Sequence, residues 1–383
     1  MREKLLRFGS YVLVAALATV ITLTMIHLEV GLKPTKLDQL EQLIEERFIG
    51  DADPMVMEDA AAAAMVKATG DRWSYYMSAE EYASNREQSE NAYVGVGITI
   101  QATEDDSGFL ILDVAAGGPA EEAGIRVQDL LIAVEDTDVR GMDITEVRSL
   151  VKGQENTYVT LKVLRNGDQV SLSVQRRKVQ TPVATYEMLP DNIGLITIEN
   201  FDDRCAEESV AAVEALLEAG AGKLVFDVRY NPGGYAHELV ALLDYLLPEG
   251  DLFRTVRYDG KEHVDTSDAD CLEIPMAVLV NESSYSAAEF FAAALQEYGA
   301  GIVVGEKTVG KGYFQTTHRL SDGSAVALST GKYFTPNGVS LAETGVTPDI
   351  IVPVDEETEA GIYYGTLERA EDPQLQAAVN HLK

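Results

Sequence analysis

Between residues 193 and 304 the chain alternates short apolar β-type runs with helical runs, and no other feature restricts its fold as strongly. Ile193 to Ile198, Leu224 to Val228, Met276 to Val280 and Ile302 to Val304 have strand character. Ala206 to Ala219, Tyr235 to Leu247 and Ala287 to Tyr298 have helical spacing. Strands that are apolar almost throughout are buried on both faces, as in a parallel sheet. Parallel neighbours need crossover connections, and helices supply them. The expectation is an α/β core. Tyr313 to Leu320 and Ala325 to Thr330 add a hairpin around Asp322-Gly323.

The preceding segment has a different texture. Tyr93 to Ile100, Phe109 to Val114 and Leu130 to Val134 are expected strands. Gly118 to Ile125 holds one short helix, with Pro119 at its start and Gly124 after its end. Asp143 to Val151 is a second helix, capped by Asp143 or Thr145. Tyr158 to Leu164 and Gln169 to Gln175 form a hairpin around Asn166-Gly167. This is a mixed module that ends near Lys178.

The N-terminus has a charge pattern of its own. Arg2, Lys4 and Arg7 face a single acid, Glu3, and Phe8 to Leu28 then runs 21 residues without a charge. Such a run is long enough to span a bilayer, and the basic flank keeps that end in the cytoplasm. A cleaved signal peptide is the rival reading, with Ala16-Leu17-Ala18 as a mimic of a cleavage site. The apolar run continues past it through Val20, Ile21, Leu23 and Ile26, which favours an uncleaved anchor. In both cases the rest of the chain lies outside the cytoplasm. Two helices follow, marked by Leu37, Leu40, Leu43, Ile44 and Phe48 and by Ala60 to Met65. Their apolar stripes point to packing or to self-association as a homodimer. Trp73, the only tryptophan, reads as an aromatic anchor in a core.

Composition sets outer limits. The 383 residues are 46% apolar and 24% charged, which excludes a disordered chain, a collagen-like fibre and a multi-span membrane protein. Thirty Lys and Arg stand against 63 Asp and Glu, a net charge of −33. That surface repels phosphate backbones, so no nucleic-acid partner is expected. Cys205 and Cys271 are too few for a metal framework or a disulfide scaffold, and leave one disulfide or two free thiols open.

Ligands of open α/β sheets bind beyond the carboxyl ends of the strands. Two loops there carry suitable residues. Asp227 to Gly234 ends in paired glycines whose N–H groups can face an anion, although a plain strand-to-helix turn would look the same. Asn281 to Glu289 places Ser286 where a strand gives way to a helix. A serine there is either an N-cap or a nucleophile with oxyanion donors beside it. His237 and His318 are the histidine bases to weigh, and neither has a recognisable orienting carboxylate. A lysine serves as base if burial lowers its pKa. Lys311 sits between Gly310 and Gly312, 25 residues after Ser286, with the neutral Gln315 four residues on.

Val280 to Glu289, with Gly305 to Gln315, resembles the carboxyl-terminal processing (tail-specific) serine proteases. Asp227 to Gly234 is similar to their Asp-Leu-Arg-Asn-Asn-Pro-Gly-Gly loop, and Gly345 to Asp349 to their Gly-Ile-x-Pro-Asp segment. The middle module resembles their PDZ domain through Gly95 to Ile98 and Gly118 to Val134. The resemblance covers about residues 70 to 350 in family order. It implies Ser286 as nucleophile, Lys311 as general base and Gln315 as its orienter. Backbone N–H of Gly233, or Gly234, and of Ala287 would hold the oxyanion. Gly95, Val96, Gly97 and Ile98 would capture a substrate's C-terminal carboxylate, so protein or peptide substrates with free C-termini are the implied partners. The pattern departs at Tyr285, Ala288, Tyr230, Arg72 and Gln128, none of which removes a catalytic group. No metal or cofactor is implied.

The expected architecture is therefore mixed α/β: an N-terminal transmembrane helix, a helical segment, a PDZ-like module, and an α/β protease core with a parallel sheet plus hairpin. The expected divisions are 1–7 in the cytoplasm, 8–28 as anchor, 29–91 as linker and helices, 92–178 as PDZ domain, 179–355 as protease core and 356–383 as helical tail. The expected activity is that of an extracytoplasmic serine endopeptidase.

Overall fold

The alternation in the second half builds a six-stranded sheet in a computed structural model that describes residues 16–21 and 34–383. Ile193–Ile198, Lys223–Asp227, Met276–Val280, Gly301–Gly305 and Ile350–Ile351 run parallel, and Ala184–Leu189 closes one edge antiparallel. Period-two alternation sends side chains to two opposite faces. Phe226, Val278 and Val280 pack with Leu239, Leu242, Phe290 and Phe291, from helices Ala236–Leu246 and Ala287–Glu297. Val225, Ala277 and Leu279 pack with Leu375, Ala378 and Val379 of helix Pro373–Leu382. Both faces are thus covered, which is why Met276–Val280 is buried at every position.

A second sheet holds Tyr75–Met77, Ala325–Phe334, Gly250–Arg257 and Glu262–Ser267, with Tyr313–Arg319 paired to Ala325–Phe334. The expected hairpin is there and is longer on its second arm. Gly250–Arg257 and Glu262–Ser267 had no strand expectation. Their sequences carry charges along their length, because much of this sheet is only half-buried.

The middle module is a sheet of Ile98–Ala102, Phe109–Val114, Leu130–Val134, Tyr158–Arg165 and Asp168–Gln175, with helix Ile144–Val151 packed on it. Asn166 and Gly167 both have positive φ, as the hairpin turn demands. The expected single strand from Tyr93 to Ile100 is corrected. Gly97 turns the chain at φ +78°, so Ala92–Gly95 pairs with Arg177–Gln180 while Ile98–Ala102 enters the module's main sheet. Ile98–Ala102 is an edge strand, paired on one side alone.

Residues up to Gly70 form one compact unit and Asp71–Lys383 a second. The first contains helices Lys36–Arg47 and Pro54–Lys67. The expected transmembrane helix at 8–28 lies outside the described residues except for 16–21, which are helical. Among the described residues no helix is long and apolar enough to cross a membrane. Cys205 and Cys271 are both free, and Cys205 is buried.

Candidate active site

Three loops meet at the carboxyl ends of neighbouring parallel strands, after Asp227, Val280 and Gly305. Backbone and side-chain hydrogen bonds stitch them together. Tyr285 N–H donates to the Asn231 carbonyl at 3.1 Å, and Val309 N–H to the Ser284 carbonyl at 3.3 Å. The Ser284 hydroxyl donates to the Val228 carbonyl at 2.7 Å, so this serine is a buried structural tie. Ser286 is different. It stands at the start of helix Ala287–Glu297 with φ 60° and ψ −126°, in a region where a side chain is strained.

Ser286, Lys311, Gln315, Gly233 and Gly234 line one cleft of about 640 Å³. Its wall includes Tyr285, Tyr333 and Asp202. Lys311 Nζ lies 5.0 Å from the Trp73 ring centroid and 5.7 Å from that of Tyr285. These two rings stack at 6.2 Å. Among the described residues the amine has no ion-pair partner within 4.0 Å. Burial pushes the Lys311 pKa below the ordinary lysine value, against the opposing pull of Glu289 and Asp71. Trp73 is therefore not the core anchor expected of it. It is half-buried beside the amine, where its ring excludes water from Lys311.

Glu289 joins the loop of Ser286 to that of Lys311. It is fully buried one turn into the helix. Its Oε2 accepts from Ser286 N–H at 3.0 Å and from Lys311 N–H at 2.8 Å. Its Oε1 accepts from Gly310 N–H at 2.7 Å and from the Thr308 hydroxyl at 2.5 Å. Burial raises its pKa, and these four donors oppose the rise. The Ser-x-x-Glu spacing from Ser286 to Glu289 is a capping-box signal that could have singled it out.

The remaining expected groups divide. No hydrogen bond joins Ser286 to Lys311, or Gln315 to Lys311, among the described residues. Gln315 Nε2 instead donates to the Tyr313 carbonyl at 3.2 Å and to Ser329 Oγ at 3.0 Å. Ser329 and Ser74 in turn bond to Asp71, and together they hold that carboxyl below its usual range although burial alone would raise it. Gly233 N–H is not free for an oxyanion, because it donates to Asn231 Oδ1 at 2.8 Å in an Asx turn. Ala287 and Gly234 make no hydrogen bond through N–H among the described residues. Gly233 is nevertheless pressed on Ser286. A Cβ there would fall 2.7 Å from Ser286 Cβ and 2.8 Å from Ala287 N.

The bases weighed against Lys311 are elsewhere. His237 is exposed beside Glu238, His318 is exposed, and neither lines the cleft. Lys307 is exposed. Tyr333 is half-buried beside Ser286 and was not anticipated; desolvation raises its hydroxyl pKa, and a hydrogen bond with Ser286 opposes the rise. Asp202 is also new to the cleft, its pKa pushed up to about 7 by burial and by Asp203 and Glu238 nearby. Gly95, Val96, Gly97 and Ile98 line a separate groove of about 390 Å³, beside helix Ile144–Val151.

Residues 192–352 match the family model of peptidase family S41, and residues 110–165 match that of the PDZ domain. The chain is 30% identical over 352 residues to a probable CtpA-like serine protease of Staphylococcus aureus (strain COL), covering 89% of this chain and 70% of that one. It is 32% identical over 318 residues to the carboxy-terminal processing protease CtpA of Bacillus subtilis (strain 168), covering 82% and 68%. Among solved structures, a putative S41 protease from Bacteroides fragilis aligns with a TM-score of 0.53 at 18% identity, over 83% and 89% of the two chains. That last likeness speaks to the fold alone.

Proposed function

The chain belongs to peptidase family S41 and is a serine peptidase with a PDZ domain, and from that premise we propose that it cleaves proteins through a Ser286–Lys311 dyad. The observation that carries this is the setting of Lys311, desolvated between Trp73 and Tyr285 in the cleft that holds Ser286. A lysine acts as a base only in its neutral form, and a water-poor aromatic wall favours that form.

Neutral Lys311 takes the Ser286 proton as Oγ bonds to the peptide carbonyl carbon. The resulting oxyanion is held by Ala287 N–H and by the glycine pair, with Gly233 N–H turning from Asn231 toward it. The Lys311 ammonium returns the proton to the leaving amine as the C–N bond breaks. Water then attacks the acyl carbon as Lys311 accepts its proton, and Lys311 passes that proton to Ser286 Oγ as the acyl C–O bond breaks, releasing the acid and restoring both groups. Dyad hydrogen bonds that are long without substrate tighten in the complex. Gln315 orients the amine in that complex through its amide oxygen.

The PDZ groove captures substrate C-termini, and two observations support this. Val96 and Gly97 are buried, and their N–H groups make no hydrogen bond among the described residues. Two converging donors make a seat for a carboxylate. The uncharged run 8–28 behind Arg2, Lys4 and Arg7 supports a membrane anchor with the peptidase outside the cytoplasm. The exposed Leu37, Leu40 and Leu43 support self-association as a homodimer.

The test is a pH–rate profile with two single variants. Burial lowers the Lys311 pKa, so the neutral fraction, and with it kcat/KM, rises with pH along a limb below the ordinary lysine value. Lys311→Arg stays protonated and loses activity, while Lys307→Arg keeps it. A flat profile, or an active Lys311→Arg, places the base elsewhere.

A further inference from the structure

We infer that the PDZ groove selects substrate tails that carry acidic side chains upstream of the terminal carboxylate; this rests on the reading that the groove captures C-termini. The groove runs along the free edge of strand Ile98–Ala102, so an extended tail can add to the sheet there. Its floor is apolar, from Val94, Val96, Ile98 and Ile100. Its only charged lining residues are Arg148 and Lys152, and no acid lines it.

Three observations make that pair selective rather than incidental. The chain carries 63 acids against 30 bases, so two cations without an acid are a local reversal of its charge. Both side chains are exposed, and neither makes an ion pair or a side-chain hydrogen bond among the described residues. Nearly every other arginine placed on this module has an internal partner: Arg165 pairs with Asp129, Arg140 with Asp138, and Arg177 with Glu122. Arg148 and Lys152 therefore face the groove with their charge unused.

Their spacing also matches an added strand. Residues four apart on a helix are about 6 Å apart along its axis. An extended chain advances about 3.3 Å per residue, so two residues span the same distance. Residues two apart on a strand share a face. Arg148 and Lys152 thus meet side chains at alternate positions of one tail. The terminal carboxylate sits at Val96 and Gly97, and one or two Asp or Glu side chains among the last few residues meet the cations.

The test measures binding of labelled peptides to the full chain carrying Ser286→Ala, so that bound tails are not cut. Peptides share an apolar last residue and differ upstream in Asp against Asn, or Glu against Gln, each as free acid and as C-terminal amide. Acidic tails are expected to bind about five-fold tighter per exposed pair at low salt, and less so as salt rises. R148Q/K152Q removes the preference, and R148E/K152E turns it toward lysine-bearing tails. Equal binding of acidic and neutral tails, or a preference that survives R148Q/K152Q, overturns the charge selection. Equal binding of free and amidated tails overturns the capture of C-termini instead, so the two failures are read from different comparisons.

Discussion

Ser286 and Lys311 are set apart by their surroundings more than by their identities. Ser283, Ser284 and Ser286 are the same residue type within four positions, yet Ser284 is tied to Val228 while Ser286 lies strained at a helix start in the cleft. Lys311 and Lys307 differ likewise, one desolvated by two aromatic rings and the other exposed. Gly233 has little freedom to change. Its φ is +87°, and an added Cβ would meet Ser286 Cβ at 2.7 Å. Gly233→Ala is expected to leave the fold intact and to lower kcat by about a hundred-fold or more, the scale of losing one oxyanion donor. Single-turnover kinetics with circular dichroism check both halves, and an unchanged kcat would remove Gly233 from the site. Ser286 and Lys311 could be singled out as candidates in the chain because Gly-Lys-Gly and a serine at a strand-to-helix junction are local features, and the family resemblance then weighed a nucleophile against a plain N-cap. Trp73 was not, because an aromatic ring looks the same in sequence whether it faces a core or a lysine.

At the scale of elements, helix Ala287–Glu297 does more than present Ser286. Through Glu289 its first turn binds the loop that carries Lys311, and one carboxylate oxygen accepts from the N–H of both Ser286 and Lys311. Glu289→Gln keeps the volume but turns an NH2 toward two of the four groups that donate to the carboxylate. The expected result is a destabilisation of about 2 kcal/mol, the scale of leaving buried polar groups unpaired. Activity should fall further than stability does, with the pH–rate limb displaced because the lysine's loop is no longer fixed against the serine's. Thermal unfolding and the pH profile of the same variant separate these effects. A variant that loses stability with its limb and kcat unchanged would make Glu289 a structural cap alone. The strands of the parallel sheet were readable because burial on both faces leaves an unbroken apolar run, as in Met276–Val280. Gly250–Arg257 and Glu262–Ser267 were not, since a half-exposed strand tolerates Asp251, Arg254, Glu262 and His263, and so resembles a loop.

For the whole molecule, every sheet among the described residues is built from strands that begin at Tyr75 or later, within the unit Asp71–Lys383. Removing residues 1–70 is expected to shift the thermal midpoint of that unit by less than about 2 °C, within the shift of a sub-kcal/mol change. Differential scanning calorimetry of the shortened chain checks this, and a large fall would mean that the two units unfold as one. By itself the sequence determined the mixed α/β class and the order of the PDZ module and the serine-peptidase core. Each of these depends on local periodicity, on turn residues or on short ordered motifs. It did not determine the hydrogen bond that occupies Gly233 N–H, the bridge through Glu289, the aromatic wall around Lys311, or the unpaired cations along the PDZ groove. Those depend on which distant segments pack together: Trp73 and Lys311 lie more than 200 residues apart in the chain, and only folding brings one ring close enough to strip water from the other's amine.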